Sequence, residues 1–314
     1  MRRTFDWLAV AVAAGVVLAG IAFAASILRA GTGRTADAAA PVSSPSPGPA
    51  PSALPRGRVL SLAGHDGDVL VAIAAQPGGP VAVAVFEGPD RGPRSGLVRV
   101  TVGHALPRVL EPDSCGSGCF ALDAPVLDGS RLQLLVEVVR DGKPTRQVDF
   151  ALPGRLRSGA ALLREVDRTM DALRTLRAEE TTTTSAGVLS AQFEFVAPDR
   201  MRVRASDGGK TVLIGDRRWD WLAGAWVAGG TSRLRMPAYP WRTAGQPRLL
   251  GKGVVGGVPV KVLGLDDPKL GPTWFRLFVA ADGRVLREAM LAPNHFMADR
   301  FSAFDEPLVI EPPS

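Results

Sequence analysis

Leu156-Arg-Ser-Gly-Ala-Ala-Leu-Leu-Arg-Glu-Val-Asp-Arg-Thr-Met-Asp-Ala-Leu-Arg-Thr-Leu-Arg177 divides the chain. Leu156, Ala160, Leu163, Val166, Met170, Leu173 and Leu176 fall on one helical stripe, with Arg164, Asp167, Arg168 and Asp171 turned away from it. It is the clearest soluble helix in the sequence. On both sides of it the apolar residues alternate or run in short β-branched blocks, the pattern of strands. The chain therefore reads as mainly β.

Toward the N-terminus, Val69-Leu-Val-Ala-Ile-Ala74 and Val81-Ala-Val-Ala-Val-Phe86 are apolar and β-branched. Leu97 to Val102 alternates with period two, and Phe120 to Ala124, Leu132 to Val139 and Thr145 to Leu152 follow, the last after an Asp141-Gly142 turn. About seven short strands without a helix predict an Ig-like β-sandwich over 58–153. Beyond the helix, Arg200, Arg202 and Arg204 alternate with Met201, Val203 and Ala205, giving one basic and one apolar strand face. Thr211 to Gly215, Val258 to Leu265, Trp274 to Ala280 and Val285 to Leu291 are further strands, with Asp282-Gly283 as a hairpin turn. One long helix followed by about eight antiparallel strands predicts an α+β domain over 154–314, a curved sheet or half-barrel packed on that helix.

The start of the chain decides where these domains work. Trp7 to Leu28 is apolar throughout, with Arg2 and Arg3 before it and Arg29 after it. As a helix it would span about 33 Å, enough for a hydrocarbon core of about 30 Å. Residues 1–29 thus read as a cytoplasmic tip and transmembrane anchor, with the chain beyond Arg29 outside the cell membrane. A secretory signal peptide is the rival, since Ala22-Phe23-Ala24 has the small-x-small pattern of a cleavage site. The run is longer than a usual signal-peptide core, which favours the anchor, and both readings place the remainder extracytoplasmically. Residues 30–57 are a Pro-rich linker, in which Pro41, Pro45, Pro47, Pro49, Pro51 and Pro55 favour extended chain without a core. The excess of arginine over lysine, with abundant Ala, Gly, Pro and Val, suggests a GC-rich bacterial source.

Of the formal net charge of +6, +3 lies within residues 1–57. What remains is too dilute for a nucleic-acid footprint, which would be a clustered stripe. The two cysteines, Cys115 and Cys119, flank a Gly-rich turn, and in an oxidising compartment they read as a local disulfide, with a thiolate metal pair as the alternative.

Sites are sparse. Gly251-Lys-Gly253-Val-Val-Gly256 is a formal GxGxxG, but it runs into strand-like Gly257 to Leu263 and opens no helix, so it reads as a glycine-rich turn or bulge. Three histidines and no nucleophile elbow give no hydrolytic triad. His65 and His104 read as exposed loop residues, and Glu179-Glu180 and Asp266-Asp267 as solvated edge residues. Met290, His295 and Met297 are the one cluster of soft donors that would suit Cu(I); core packing of the methionines is the plain alternative. Trp219, Trp221 and Trp226, with Leu163, Val166, Met170 and Leu173 of the helix stripe, are the candidate lining of an apolar pocket.

Two family resemblances accompany these readings. Residues 58–153 resemble the YtkA-like (FixH-like) modules of bacterial envelope proteins in strand pattern, in Gly118-Cys-Phe120, in Val138-Val-Arg-Asp-Gly-Lys-Pro144 and in Val148-Asp-Phe-Ala-Leu-Pro153, although Leu132-Gln-Leu134 stands where an aromatic is usual. Residues 156–313 resemble LolA/LppX-type carrier domains through Ala197-Pro-Asp-Arg-Met-Arg202, Ile214-Gly215 with Trp219, Trp226, His295-Phe-Met-Ala-Asp-Arg-Phe301 and Ile310-Glu-Pro-Pro313. The first resemblance implies an association with copper handling. The second implies an apolar half-barrel for lipids or acyl chains. Neither implies an enzyme. The expectation is a non-catalytic envelope protein that holds a lipid-like ligand or docks an envelope partner, without a cofactor; the alternative is a copper-handling accessory protein.

Overall fold

The structure, a computed structural model, describes residues 59–87, 97–103, 105–110, 118–123, 126–184, 187–229, 239–267, 272–293 and 295–314. The expected anchor and linker lie outside these residues; among those described, no helix is long and apolar enough to cross a membrane.

Eight strands come first: β1 (Leu60–Asp66), β2 (Val69–Ala75), β3 (Val81–Glu87), β4 (Leu97–Val102), β5 (Arg108–Leu110), β6 (Cys119–Leu122), β7 (Leu132–Val139) and β8 (Arg146–Leu152). They form two antiparallel four-stranded sheets, ordered β1-β2-β3-β6 and β5-β4-β7-β8. In β8 every second side chain is buried, as in a sheet with one wet face. Val136, Val148 and Phe150 thereby meet Val71, Ile73, Val83 and Phe120 in one core between the sheets. The sandwich is present, but its described strand order is not that of an immunoglobulin constant domain. There the third strand leaves the sheet of the first two; here β1, β2 and β3 form an unbroken meander. Short connections enforce this, with Gly67 (φ 56°) and Gly78 (φ 68°) supplying the left-handed turn positions.

β2 and β3 are buried along their whole length. One face belongs to the sandwich core. The other presents Leu70, Ala72, Ala84 and Phe86, which are covered by Trp274 with Leu291 and Phe296 from the C-terminal half. An apolar run without alternation marks a strand with no wet face.

The C-terminal half comprises helix α1 (Ala160–Asp171) and strands β9 (Thr175–Thr184), β10 (Gly187–Val196), β11 (Arg200–Ala205), β12 (Lys210–Ile214), β13 (Arg217–Leu222), β14 (Ala225–Ala228), β15 (Gly245–Val255), β16 (Val258–Asp267), β17 (Thr273–Val279), β18 (Val285–Ala292) and β19 (His295–Ser302), with a 3-10 turn at Pro240–Thr243. The strands make one antiparallel sheet of eleven, ordered β14-β13-β12-β11-β10-β9-β19-β18-β17-β16-β15. β9 to β14 run outward from the centre to one edge. The chain returns at the opposite edge with β15 and works back until β19 pairs with β9. β14 and β15 remain unpaired to each other, so the sheet is open. The formal GxGxxG lies at the β15–β16 hairpin, with a register shift at Gly251 and a turn at Gly256 (φ 56°) and Gly257 (φ 83°).

Helix α1 is 12 residues long, shorter than the 156–177 stripe. The chain enters at Gly159, whose N–H donates to Pro247 O at 2.8 Å, and leaves into β9, where β-branched Thr175 and the Thr181–Thr184 run favour strand. Leu176 keeps its place in the core, but from a strand. Gly159 is fixed by close approach: a Cβ there would stand 2.3 Å from Leu263 Cδ2. Gly159→Ala is expected to cost about 1–3 kcal/mol, read from urea unfolding; an unchanged midpoint would show that Leu263 turns aside freely.

Candidate functional site

Antiparallel register fixes which side chains share a face, because directly paired residues point the same way. On the helix side, Leu176 and Ala178 of β9, Phe193 and Phe195 of β10, Phe301 of β19 and Leu277 of β17 pack against Val166, Met170 and Leu173. Leu163 packs at the margin of the same core. The space is closed by the chain's own aromatics: Trp241, with no exposed surface, stacks on Tyr239 at 4.5 Å and meets Phe301 edge-on at 6.0 Å. The Tyr239 hydroxyl donates to Met170 O at 3.2 Å. Sequence reading singled out neither Tyr239 nor Trp241, since a crossover segment has no periodicity to reveal its burial.

The three tryptophans expected to complete that pocket lie on the other face. Trp219 pairs with Val212, which pairs with Arg202, whereas the core residue Met201 leads through Leu213 to Arg218. Trp221 and Trp226 are direct partners, 5.4 Å apart edge to face, and the Lys210 ammonium stands 4.9 Å over Trp221. Helix stripe and tryptophans are therefore separated by the thickness of the sheet. β13 puts Arg218 and Asp220 on the helix side instead, as an ion pair at 2.7 Å.

Met290 and Met297 are cross-strand partners, both buried in the helix-side core. His295 occupies β19 two positions before Met297, paired with Ala292; its side chain lies outside the described part. Cys119 is disulfide-bonded, and Cys115, the other cysteine, lies outside the described residues, as does His104. Among the described residues no group of three His, Cys, Asp or Glu is arranged to hold a metal ion.

Two carboxylate pairs read as solvated edges prove half-buried. Alternation does send neighbours to opposite faces, but one member of each then enters the core. Asp267 accepts a hydrogen bond from the Thr243 hydroxyl at 2.6 Å. Glu180 joins a ladder: it pairs with Asp299 of β19, which pairs with Glu288 of β18. All three are buried on the helix side. The Thr182 hydroxyl donates to Glu180 Oε1 at 3.0 Å, while Glu180 Oε2 and both Glu288 oxygens have no partner. Burial raises all three acids, Asp299 to about 7, and Asp299 further raises Glu180 and Glu288. Burial thus favours the protonated, neutral form of all three.

On the opposite face, between the sandwich and the long sheet, lies a cleft of about 470 Å³. Its floor is low because Ala289 and Ala298 are partners in the row that runs from Thr181 to Arg276. Phe296, Leu291 and Trp274 form the adjacent row, capped by β1. His65 stacks on Phe296 at 4.1 Å, Trp274 Nε1 donates to Ser61 Oγ at 2.8 Å, and Arg276 donates to Ala63 O at 3.3 Å. His65 is thus a strand residue with one ring face covered, and burial lowers its pKa. Gln147 and Asp149 of β8 complete the rim.

The chain matches no protein-family model and no curated protein. Solved structures similar to it include the lipoprotein LppX of Mycobacterium tuberculosis (17% identity, TM-score 0.40, covering 49% of this chain and all of that one) and LprF of Mycobacterium bovis (11%, TM-score 0.37, 50% and 99%). A putative outer membrane lipoprotein-sorting protein domain of Vibrio parahaemolyticus is similar at 10% identity and TM-score 0.23, over 48% of this chain and 93% of that one. At these scores the likeness covers about half of the chain and carries nothing about a ligand.

Proposed function

We propose that this chain is a non-catalytic, extracytoplasmic binding protein and that its ligand, lipid-like in having an apolar part, lies in the cleft between the sandwich and the long sheet. The contrast between the two faces of that sheet carries the reading. The helix side is filled by Tyr239, Trp241 and Phe301, whereas the other face leaves a cleft of about 470 Å³ lined by Phe296, Leu291 and Trp274 beside polar groups. A concavity of this size, with polar and apolar surface in about equal measure, suits a small amphiphilic ligand. The disulfide at Cys119 supports an oxidising compartment. In this reading residues 7–28 anchor the protein, 30–57 space it from the membrane, and 58–153 and 154–314 each supply one wall of the site.

Native mass spectrometry of the full chain tests it. An adduct of lipid mass is expected, and it should be lost in Ala289→Trp, which raises the cleft floor. A bare mass for the unsubstituted chain after incubation with excess lipid would sink the proposal. Copper is the second reading, favoured by the direct pairing of Met290 with Met297. It requires one equivalent of Cu(I) that is released by His295→Ala.

A further inference from the structure

Among the described residues, Arg276 is a charge without a counter-charge. It sits partly buried in the middle of β17, one amino group donating to Ala63 O, and no carboxylate of the described residues pairs with it. Burial lowers its pKa, and the like charge of Arg287 lowers it further. Arg287, one strand over on the same face, stands 5.3 Å over the Phe278 ring, also with no carboxylate partner among the described residues. Arg300 is the cross-strand partner of Arg287. Against these, Asp149 is the one acid among the described residues lining the cleft, and it is exposed on the far wall, on β8. Glu179, the partner of Arg300, lies exposed outside the lining.

A partly desolvated guanidinium beside a second one is unfavourable unless an anion joins them. Elsewhere in this chain such arginines are paired: Arg140 with Asp68, Arg218 with Asp220. At the cleft the pairing is left open, and the open side adjoins the apolar row of Phe296, Leu291 and Trp274. From this geometry we infer that the cleft recognises an anionic amphiphile, its carboxylate or phosphate held by Arg276 and Arg287 and its apolar part laid along Phe296, Leu291 and Trp274. Arginine suits this role because its planar fork meets both oxygens of such a group. The inference rests on the cleft being the binding site and adds the charge of the ligand.

Calorimetric titration of the full chain in nanodiscs, with empty nanodiscs subtracted, separates the parts. The probes are octanoate, 1-octanol and inorganic phosphate. Octanoate is expected to bind at least tenfold more tightly than either of the others. Arg276→Gln and Arg287→Gln should each weaken octanoate at least fivefold, while Arg217→Gln, on the distant edge hairpin, should leave it unchanged. Arg276→Lys keeps the charge without the fork and should bind at an intermediate level, which covers the case in which Arg276→Gln does not fold. Equal binding of octanoate and octanol, both lost in Ala289→Trp, would overturn the anion recognition and leave the cleft as a site. Octanoate binding that survives Ala289→Trp, or no binding of any probe, would overturn both. Phosphate binding as tight as octanoate would reduce the site to a simple anion site and overturn the amphiphile.

Discussion

Glu288→Gln is expected to raise the melting temperature at pH 8 by several degrees while changing it little at pH 5. The reason is the ladder of Glu180, Asp299 and Glu288, buried side by side with three oxygens unpartnered. In the unfolded chain these acids titrate near pH 4. In the folded chain burial holds Asp299 at about 7 and the two glutamates well above their ordinary value. Between those limits the native state binds more protons than the unfolded state, so stability falls as pH rises. The contribution is fully present below about pH 4 and is lost through pH 7 and beyond. For Asp299 alone it amounts to about 4 kcal/mol. Glutamine keeps the shape of Glu288 and cannot ionise, so it removes part of the fall. Asp68, held low chiefly by the hydrogen bond from Arg140, acts in the opposite sense but only at acid pH. A wild-type protein as stable at pH 8 as at pH 5 would contradict the ladder's protonation.

Trp241→Ala is expected to be the most damaging single truncation in the C-terminal half. The side chain has no exposed surface and is clamped between the ring of Tyr239 and the edge of Phe301. Removing it leaves a cavity beneath α1 and frees Tyr239, at a cost of about 3–5 kcal/mol. In a unit of this size that lowers the melting temperature by about 10 °C. Trp226→Ala, on the partly exposed outer face of an edge strand, should cost no more than about 1 kcal/mol. Equal losses for the two tryptophans would mean that the helix-side core is not organised around Trp241.

Much of the architecture is readable along the chain because it is local. Alternation in β4 and β11, the Asp282-Gly283 turn and the amphipathic stripe of α1 are each written within a few residues, and a mainly β chain with one soluble helix follows from them. The unbroken apolar runs of β2 and β3 are equally local, but that both of their faces are covered is seen only in the structure. The helix ends earlier than the stripe, since Leu173 in the connecting turn and Leu176 in β9 continue it after the helix has stopped.

What the sequence could not supply are relations across strands. Glu180, Glu288 and Asp299 lie more than a hundred positions apart at their extremes, and only the closing pair β9–β19 sets them in one row. The same pairing brings Thr181 beside Ala298 and opens the cleft floor toward Arg276. Face assignment is equally non-local: whether Trp219 points toward α1 depends on its register through β12 to Met201. Sequence by itself determined the strands, the helix and their periodicity, because these follow from each residue's neighbours. The tertiary structure alone decided which faces meet, which charges are left unpaired and where space remains, because those depend on the register of chains that are distant in sequence.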